Sequence, residues 1–232
     1  MQSGLYIVGT PIGNLSDMSP RAIETLQNVD LVACEDTRVF GKLAARFNIE
    51  TKKVSFHEHN ERDVVNELVE KIQSGLSVAL VSDAGMPGIS DPGFRLIRAA
   101  RHAKISVFII PGPTAVVSAL VLSGFPTDRF TFCGFFDEKK VHDDNKIRHT
   151  IIYYESPNRI MDTIKILARV MPERRIAIVR EITKMYEETI IDYPAELLDI
   201  EHPRGEIVLV VEPAPEQKMT DVEISQIVND LV

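Results

Sequence analysis

The sequence predicts an α/β protein of two domains, an N-terminal one around a mostly parallel sheet and a C-terminal one around a mixed sheet. Three observations carry this. Short apolar runs alternate with helical patterns through the first half, which implies right-handed βαβ units and a parallel sheet. Past Gly124-Phe125-Pro126 strands outnumber helices, as in a mixed sheet. Between an apolar run at 77–81 and a helical pattern from Phe94, residues 82–92 hold two Gly, two Pro, two Asp and two Ser, far more than a turn needs. That loop is either an ordinary connection with Ser90 or Asp91 capping the next helix, or a ligand loop at a strand's carboxyl end.

Taken in order, strands are expected at 5–8, 31–34, 53–56, 77–81 and 105–110. Helices are expected at 20–26, 39–47, 64–72, 94–100 and 114–122. Ser19 is placed to cap the first helix, with Pro20 at its first position. In the second half strands are expected at 130–135, 151–154, 175–180, 188–192 and 206–211. Helices are expected at 159–170 and 194–198, and 137–149 reads as an exposed charged loop. The domains are therefore 1–124 and 125–213. Residues 214–232, with Ile224, Ile227, Val228 and Leu231 at helical spacing, read as the start of a truncated helical element.

The chain has 232 residues, 44% hydrophobic and 26% charged, the proportions of a soluble globular protein. Cys34 and Cys133 are too few and too far apart for a disulfide framework or metal finger, which fits a reducing cytoplasm. MQSGLYIVGT has no basic region and no cleavage pattern, so no signal peptide is expected. Residues 105–127 carry no charge, but Pro111-Gly112-Pro113 breaks them into a strand and a helix rather than a membrane span. The net charge of −8 argues against non-specific polyanion binding and leaves room for a local basic patch.

Five loops follow presumed parallel strands and should converge on one edge. The first, 9–14, is neither a dinucleotide fingerprint nor a P-loop, and Pro11 removes a donor that a phosphate would use. Glu35-Asp36-Thr37-Arg38 offers a carboxylate for ribose hydroxyls. Equally, Asp36 is a good helix cap, and Arg38 is the nearest partner for a buried Glu35. His57-Glu58-His59-Asn60 places two imidazoles on one strand face without a third metal ligand, so acid–base work or polar readout is favoured over metal, and Asn60 can cap the next helix. The loops at 82–92 and 111–115 complete the set.

The motifs GTPIGNLSDMSPRAIETL, VACEDTR, HEHN, ALVSDAGMPGISDPG, PGPTAVVSAL, SGFPTDRFTFCGF, YESPNR, REITKMYEE and RGE occur in that order. Together they resemble the RsmI family, the small-subunit ribosomal RNA (cytidine-2′-O-)-methyltransferases of the tetrapyrrole-methylase superfamily. The resemblance implies that superfamily's two-domain fold, with S-adenosylmethionine in the cleft between the domains, no metal, and a cytoplasmic homodimer acting on 16S rRNA in the small ribosomal subunit. It places cofactor contacts at Pro11, Ile12, Asp83, Ala84, Gly85, Met86, Thr114 and Ala115, with Glu155, Arg180 and Gly205 from the second domain. Catalytic candidates are Glu35, Asp36, Arg38, His57, His59 and Asn60. The base would be His57 or Glu35, with Lys184 as a third candidate.

Departures from the family pattern are Met86 for the usual threonine, Asn158 for the usual histidine and a shorter, less basic stretch from 134 to 154. Lys139, Lys140, Lys146, Arg148 and His149 remain there as a modest basic cluster. A small-molecule methylase of the same superfamily and a non-catalytic nucleotide-binding protein are the competing readings.

Overall fold

A computed structural model describes residues 1–215, so the helical pattern expected over 214–232 falls almost wholly outside the described residues. The chain forms two compact units. The first is Met1–Ala119 plus Glu181–Glu188; the second is Leu120–Arg180 with the described residues from Thr189 on. The units thus part near Ala119, not Gly124, and an eight-residue excursion of the second half packs with the first.

In the first unit, β1 (Gly4–Val8), β2 (Leu31–Cys34), β3 (Lys53–Ser55), β4 (Ser77–Val81) and β5 (Val107–Ile110) form one sheet in the order β3-β2-β4-β1-β5. Its neighbouring strands all pair parallel. The helices α1 (Pro20–Asn28), α2 (Thr37–Arg46), α3 (Glu61–Gln73) and α4 (Phe94–His102) cover its two faces. Strand side chains alternate by two, and the cores follow that period. Tyr6, Val8, Val32, Cys34, Ala79 and Val81 pack with Ala22, Leu26, Phe40 and Ala44 of α1 and α2. Leu5, Ile7, Leu31, Ala33, Val78 and Leu80 pack with Leu68, Ile72, Leu96 and Ala100 of α3 and α4. Because both faces are covered, the strands read as continuous apolar runs. The uncharged segment 105–127 becomes β5, a turn and α5 (Ala115–Ser123), and no described helix is long and apolar enough to cross a membrane.

The caps show which sequence signals were local. Ser19 Oγ accepts from Ala22 N at 3.1 Å, with Pro20 opening α1. Asp36 caps α2 through Arg38 N at 2.7 Å. Two expectations fail. Asn60 occupies the cap position of α3, but its side chain makes no cap bond. The cap of α4 is Gly93, not Ser90 or Asp91, and it has no side chain to offer. A residue far away in sequence supplies the missing acceptor: buried Glu61 takes hydrogen bonds from Gly93 N (3.2 Å) and Arg95 N (3.3 Å) and pairs with the Arg95 guanidinium.

The second unit holds β6 (Phe130–Phe135), β7 (Thr150–Glu155), β8 (Ile176–Arg180), β9 (Glu188–Asp192) and β10 (Ile207–Val211), ordered β6-β7-β10-β8-β9. β6 runs parallel to β7, whereas β10 is antiparallel to both β7 and β8, so the sheet is mixed. Ile160, Ile164 and Leu167 form the apolar stripe of α7 (Ile160–Val170) against Ile151, Tyr153, Ile178 and Leu209. Two expectations are corrected here. Residues 194–198 form a turn; with Pro194 at its start the segment is too short to hold a helix. The stretch 137–149 is not merely an exposed loop: it contains a short helix, α6 (Val141–Asp144), because Val141 buries itself in the core. Most of its basic residues are also engaged. Lys140 pairs with Asp137 and Lys146 with Asp143, Arg148 donates to Pro215 O, and His149 shares a hydrogen bond with Thr131.

Candidate active site

Parallel strands end on one edge, so the five loops converge as the sequence suggested, but the strand order sorts them. The loops at 9–14, 82–92 and 111–115 follow β1, β4 and β5, one contiguous half of the sheet; those at 35–38 and 57–60 follow β2 and β3, the other half. The connection after β1 runs toward β2 while that after β4 runs toward β5. The two connections thus pass each other at the adjacent β4–β1 pair on opposite faces of the sheet, α1 with α2 on one and α3 with α4 on the other, the arrangement that opens a crevice at strand ends.

The first three loops are stitched by backbone. Thr10 N donates to Gly85 O at 2.9 Å and Gly85 N to Thr10 O at 3.1 Å, an isolated antiparallel bridge across the crevice edge. Gly9 and Gly112 touch main chain to main chain. A Cβ on Gly9 would lie 2.6 Å from Gly112 N and from the Met86 sulfur. A Cβ on Gly112 would lie 2.8 Å from Gly9 C and Cα. Met86, the departure from the usual threonine, fills the space beside Gly9. Pro11 and Ile12 are buried, so they shape the loop. Asp83 and Ala84 are exposed, and Thr114 and Ala115 are half-buried at the start of α5.

The two halves join through carboxylates. Asp83 Oδ1 accepts from Asp36 N at 3.0 Å. Asp36 is wholly engaged: Arg38 contacts both oxygens, at 2.6 Å for Nη2, and these hydrogen bonds hold its carboxyl well below the usual range. Arg38 thus pairs with Asp36, not Glu35, because capping brings its side chain back over the helix start. Glu35 is half-buried. Burial and the charge of Asp83 raise its pKa, while a hydrogen bond from the Asp83 backbone and nearby His57 oppose the rise. Burial, then the charges of Glu35 and Asp83, push Asp91 up to about 6, against a hydrogen bond from Ser82. The crevice edge is therefore negative and one of its carboxylates is basic enough to take a proton, a setting that suits a cationic ligand.

Within HEHN the structure separates the candidates. Asn60 is a clamp: its Oδ1 accepts from His57 N at 2.8 Å and its Nδ2 donates to Ser55 O at 2.9 Å. His57 Nδ1 accepts from Asn60 N at 3.2 Å, which leaves the proton of the neutral ring on Nε2. His59 is exposed, its ring 5.9 Å from that of His57. Among the described residues no group of three His, Cys, Asp or Glu is placed to hold a metal.

Lys184 reaches the first unit through the 181–188 excursion and pairs with Glu181 at 2.8 Å. A Cβ on Gly13 would lie 2.7 Å from Lys184 Cγ and 2.8 Å from Thr183 Oγ1, so this loop rests directly on loop 9–14. In the second unit the remaining candidates meet at one sheet end, where Glu155 and Arg180 both flank Ile207 in register and Gly205 lies just before it. Glu155 is 4% exposed and already occupied by Ser156 N, Thr163 Oγ1 and Arg159. Arg180 contacts Arg204 O at 3.4 Å. Sequence reasoning missed Glu61, whose only signal was an acidic residue in the first turn of α3.

Residues 4–198 match the sequence pattern of the tetrapyrrole (corrin/porphyrin) methylases. The chain is 46% identical over 233 residues to ribosomal RNA small subunit methyltransferase I of Vibrio cholerae, covering 94% of this chain and 81% of that protein. The Synechocystis protein of the same name is 46% identical over 229 residues, covering 92% and 81%. That of Bacillus subtilis is 40% identical over 228 residues, covering 94% and 78%. Among solved structures, a diphthine synthase superposes with a TM-score of 0.73 at 16% identity over 95% of this chain and 93% of that one. The uroporphyrin-III-C-methyltransferase of Thermus thermophilus gives 0.63 at 18% identity over 99% of both. At such identities these two structures speak for the fold alone.

Proposed function

This chain belongs to the tetrapyrrole methylases and, within them, to the ribosomal RNA small subunit methyltransferase I family, and from that premise we propose what it does. It is an S-adenosylmethionine-dependent methyltransferase that methylates the 2′-oxygen of a cytidine ribose in the decoding region of 16S rRNA. The similarity to the Vibrio cholerae protein, sustained over 94% of the chain, carries the reading.

The residues present fit the methyl donor. The Gly9–Gly112 main-chain contact and the Thr10–Gly85 bridge bring the three loops together at one sheet edge, where they can hold one ligand. The negative edge made by Asp83, Glu35 and Asp91 suits its cationic sulfonium and ammonium groups. When bound, the donor supplies an activated methyl whose carbon–sulfur bond breaks as the ribose oxygen forms its new bond. The protein has to position that oxygen in line and accept its proton. Glu35 is the base in this reading: it is half-buried, its proton affinity is raised, and its oxygens are not claimed by Arg38. His57, fixed by Asn60, orients the acceptor by donating from Nε2. Asp83 and Ala84, with Thr114 and Ala115, hold the donor. Asp36 and Arg38 shape the loop.

The enzyme works as a cytoplasmic homodimer on assembled small subunits. Exposed Ile109, Val117, Val121 and Leu122 support a second copy as their cover. The engaged cations of 137–149 support a substrate that supplies its own orientation.

The test is transfer from labelled S-adenosylmethionine to small subunits lacking their native methylations, with the label mapped to a nucleotide. Label on one ribose 2′-oxygen, lost in Asp83→Ala, is the expected result. Absence of label with cofactor binding retained would overturn the reading.

A further inference from the structure

Loop 181–188 contributes more than Lys184. Met185 is 89% exposed and the adjacent Tyr186 68%, the two most exposed large apolar side chains among the described residues. Single exposed apolar residues need no explanation. An adjacent pair at the tip of a rigid turn does.

The turn is built to hold that tip outward. Ile182 is buried beneath it. Thr183 N donates to Glu187 Oε2 at 2.6 Å, Lys184 N to Glu181 O at 2.9 Å and Glu187 N to Lys184 O at 3.1 Å. Glu181 and Thr183 adopt φ of 51° and 67°, a left-handed conformation that costs a non-glycine residue free energy. The Gly13 contact then fixes this turn against loop 9–14, which is itself bridged to Gly85. The tip is thus tied by packing and main-chain hydrogen bonds to the loops assigned above to the methyl donor.

We propose that Tyr186, with Met185 beside it, is a stacking platform for a base of the RNA substrate next to the methylated ribose. This rests on the methyltransferase reading. Charge decides which part of the RNA docks here. Glu181, Glu187 and Glu188 flank the tip in sequence against the single cation Lys184, which pairs with Glu181, so the segment 181–188 carries net negative charge and favours a neutral base face over a phosphate. The chain as a whole carries −8, and in the basic stretch at 137–149 Lys140, Lys146 and Arg148 make internal contacts. Phosphate neutralisation, the usual source of RNA affinity, is therefore limited. Stacking on an aromatic ring is the contact that gains affinity without positive charge, and it suits unstacked single-stranded RNA.

The experiment compares wild type, Tyr186→Ala, Tyr186→Phe and Met185→Ala in methyl transfer to undermethylated small subunits, with S-adenosylmethionine affinity measured by calorimetry. Base stacking worth about 1–3 kcal/mol corresponds to a rise in KM for the subunit of roughly 5- to 150-fold in Tyr186→Ala. Tyr186→Phe should restore KM to within about threefold, since the ring remains, and Met185→Ala should sit between them. Cofactor affinity should not move, and the salt dependence of KM should keep its wild-type slope because no phosphate contact is lost. An unchanged KM in Tyr186→Ala, or a loss that tracks cofactor affinity, overturns the platform while wild-type activity leaves the methyltransferase reading standing. A wild-type enzyme that labels no ribose overturns both.

Discussion

The substitution Gly112→Ala adds one methyl group at the point where loops 9–14 and 111–115 touch. That Cβ would lie 2.8 Å from both Gly9 C and Gly9 Cα and 3.1 Å from Gly9 O. Ordinary contact begins near 3.4 Å, so the loops must part by roughly 0.6 Å, an overpacking of main chain against main chain. Gly9 cannot yield cheaply. Its N–H is bonded to Ile110 O at 2.9 Å, and Thr10 is held to Gly85 by two hydrogen bonds. We expect a destabilisation of about 1–3 kcal/mol and a fall in Tm of about 2–12 °C. Affinity for S-adenosylmethionine should fall about tenfold or more, a change of about 1.4 kcal/mol, because the contact that sets the two proposed donor loops against each other would be parted. Thermal denaturation followed by circular dichroism and calorimetric titration read the two effects. Gly124→Ala is the control: its φ is +67° and nothing lies within 4 Å, so it should cost about 1–2 kcal/mol through conformation alone and leave affinity intact. Wild-type affinity in Gly112→Ala would refute the assignment of this contact to the binding site, whatever happens to Tm.

Three further outcomes follow from the same geometry. Glu35→Gln should lower kcat by about 10²–10⁴ with little change in cofactor affinity, and the wild-type rate should fall on acidification at a pH above the ordinary carboxylate range, since the base must be ionised; an undiminished kcat removes Glu35 from that role. The folded protein holds Asp91 near 6 against an unfolded value near 3.8, so the native state binds the extra proton and stability falls as pH rises from about 4 to about 6. Asp91→Asn should therefore stabilise the protein at pH 7 by on the order of 1–2 kcal/mol after allowance for solvent screening, with the gain vanishing near pH 4, as denaturant titrations across that range would show. Glu61→Ala leaves Gly93 N and Arg95 N without their acceptor and should cost about 1–3 kcal/mol in urea denaturation; an unchanged midpoint would mean that water caps α4 equally well.

Much of the fold was legible because its signals are local. Apolar runs and helical spacing mark the five strands and the helices of the first unit, and Ser19 and Asp36 carry their caps within three residues. Two of the failures share one cause, a partner distant in sequence. Nothing near Gly93 reveals that Glu61 caps its helix. Val141 looks like part of a charged loop until a core is there to receive it. Arg38 serves Asp36 because the helix start turns its side chain back, a geometry that proximity in sequence does not distinguish from pairing with Glu35.

By itself the sequence determined the alternation of strands and helices, the placement of each motif at a strand end, and the family that those motifs together resemble. These depend on periodicity and on short-range chemistry, which each segment carries with it. Only the tertiary structure decided the strand order β3-β2-β4-β1-β5, which sorts the loops into two halves joined at Asp83, and the return of 181–188 onto Gly13. Those depend on contacts between segments tens of residues apart, where the close approach of two backbones, more than any local preference, selects the arrangement.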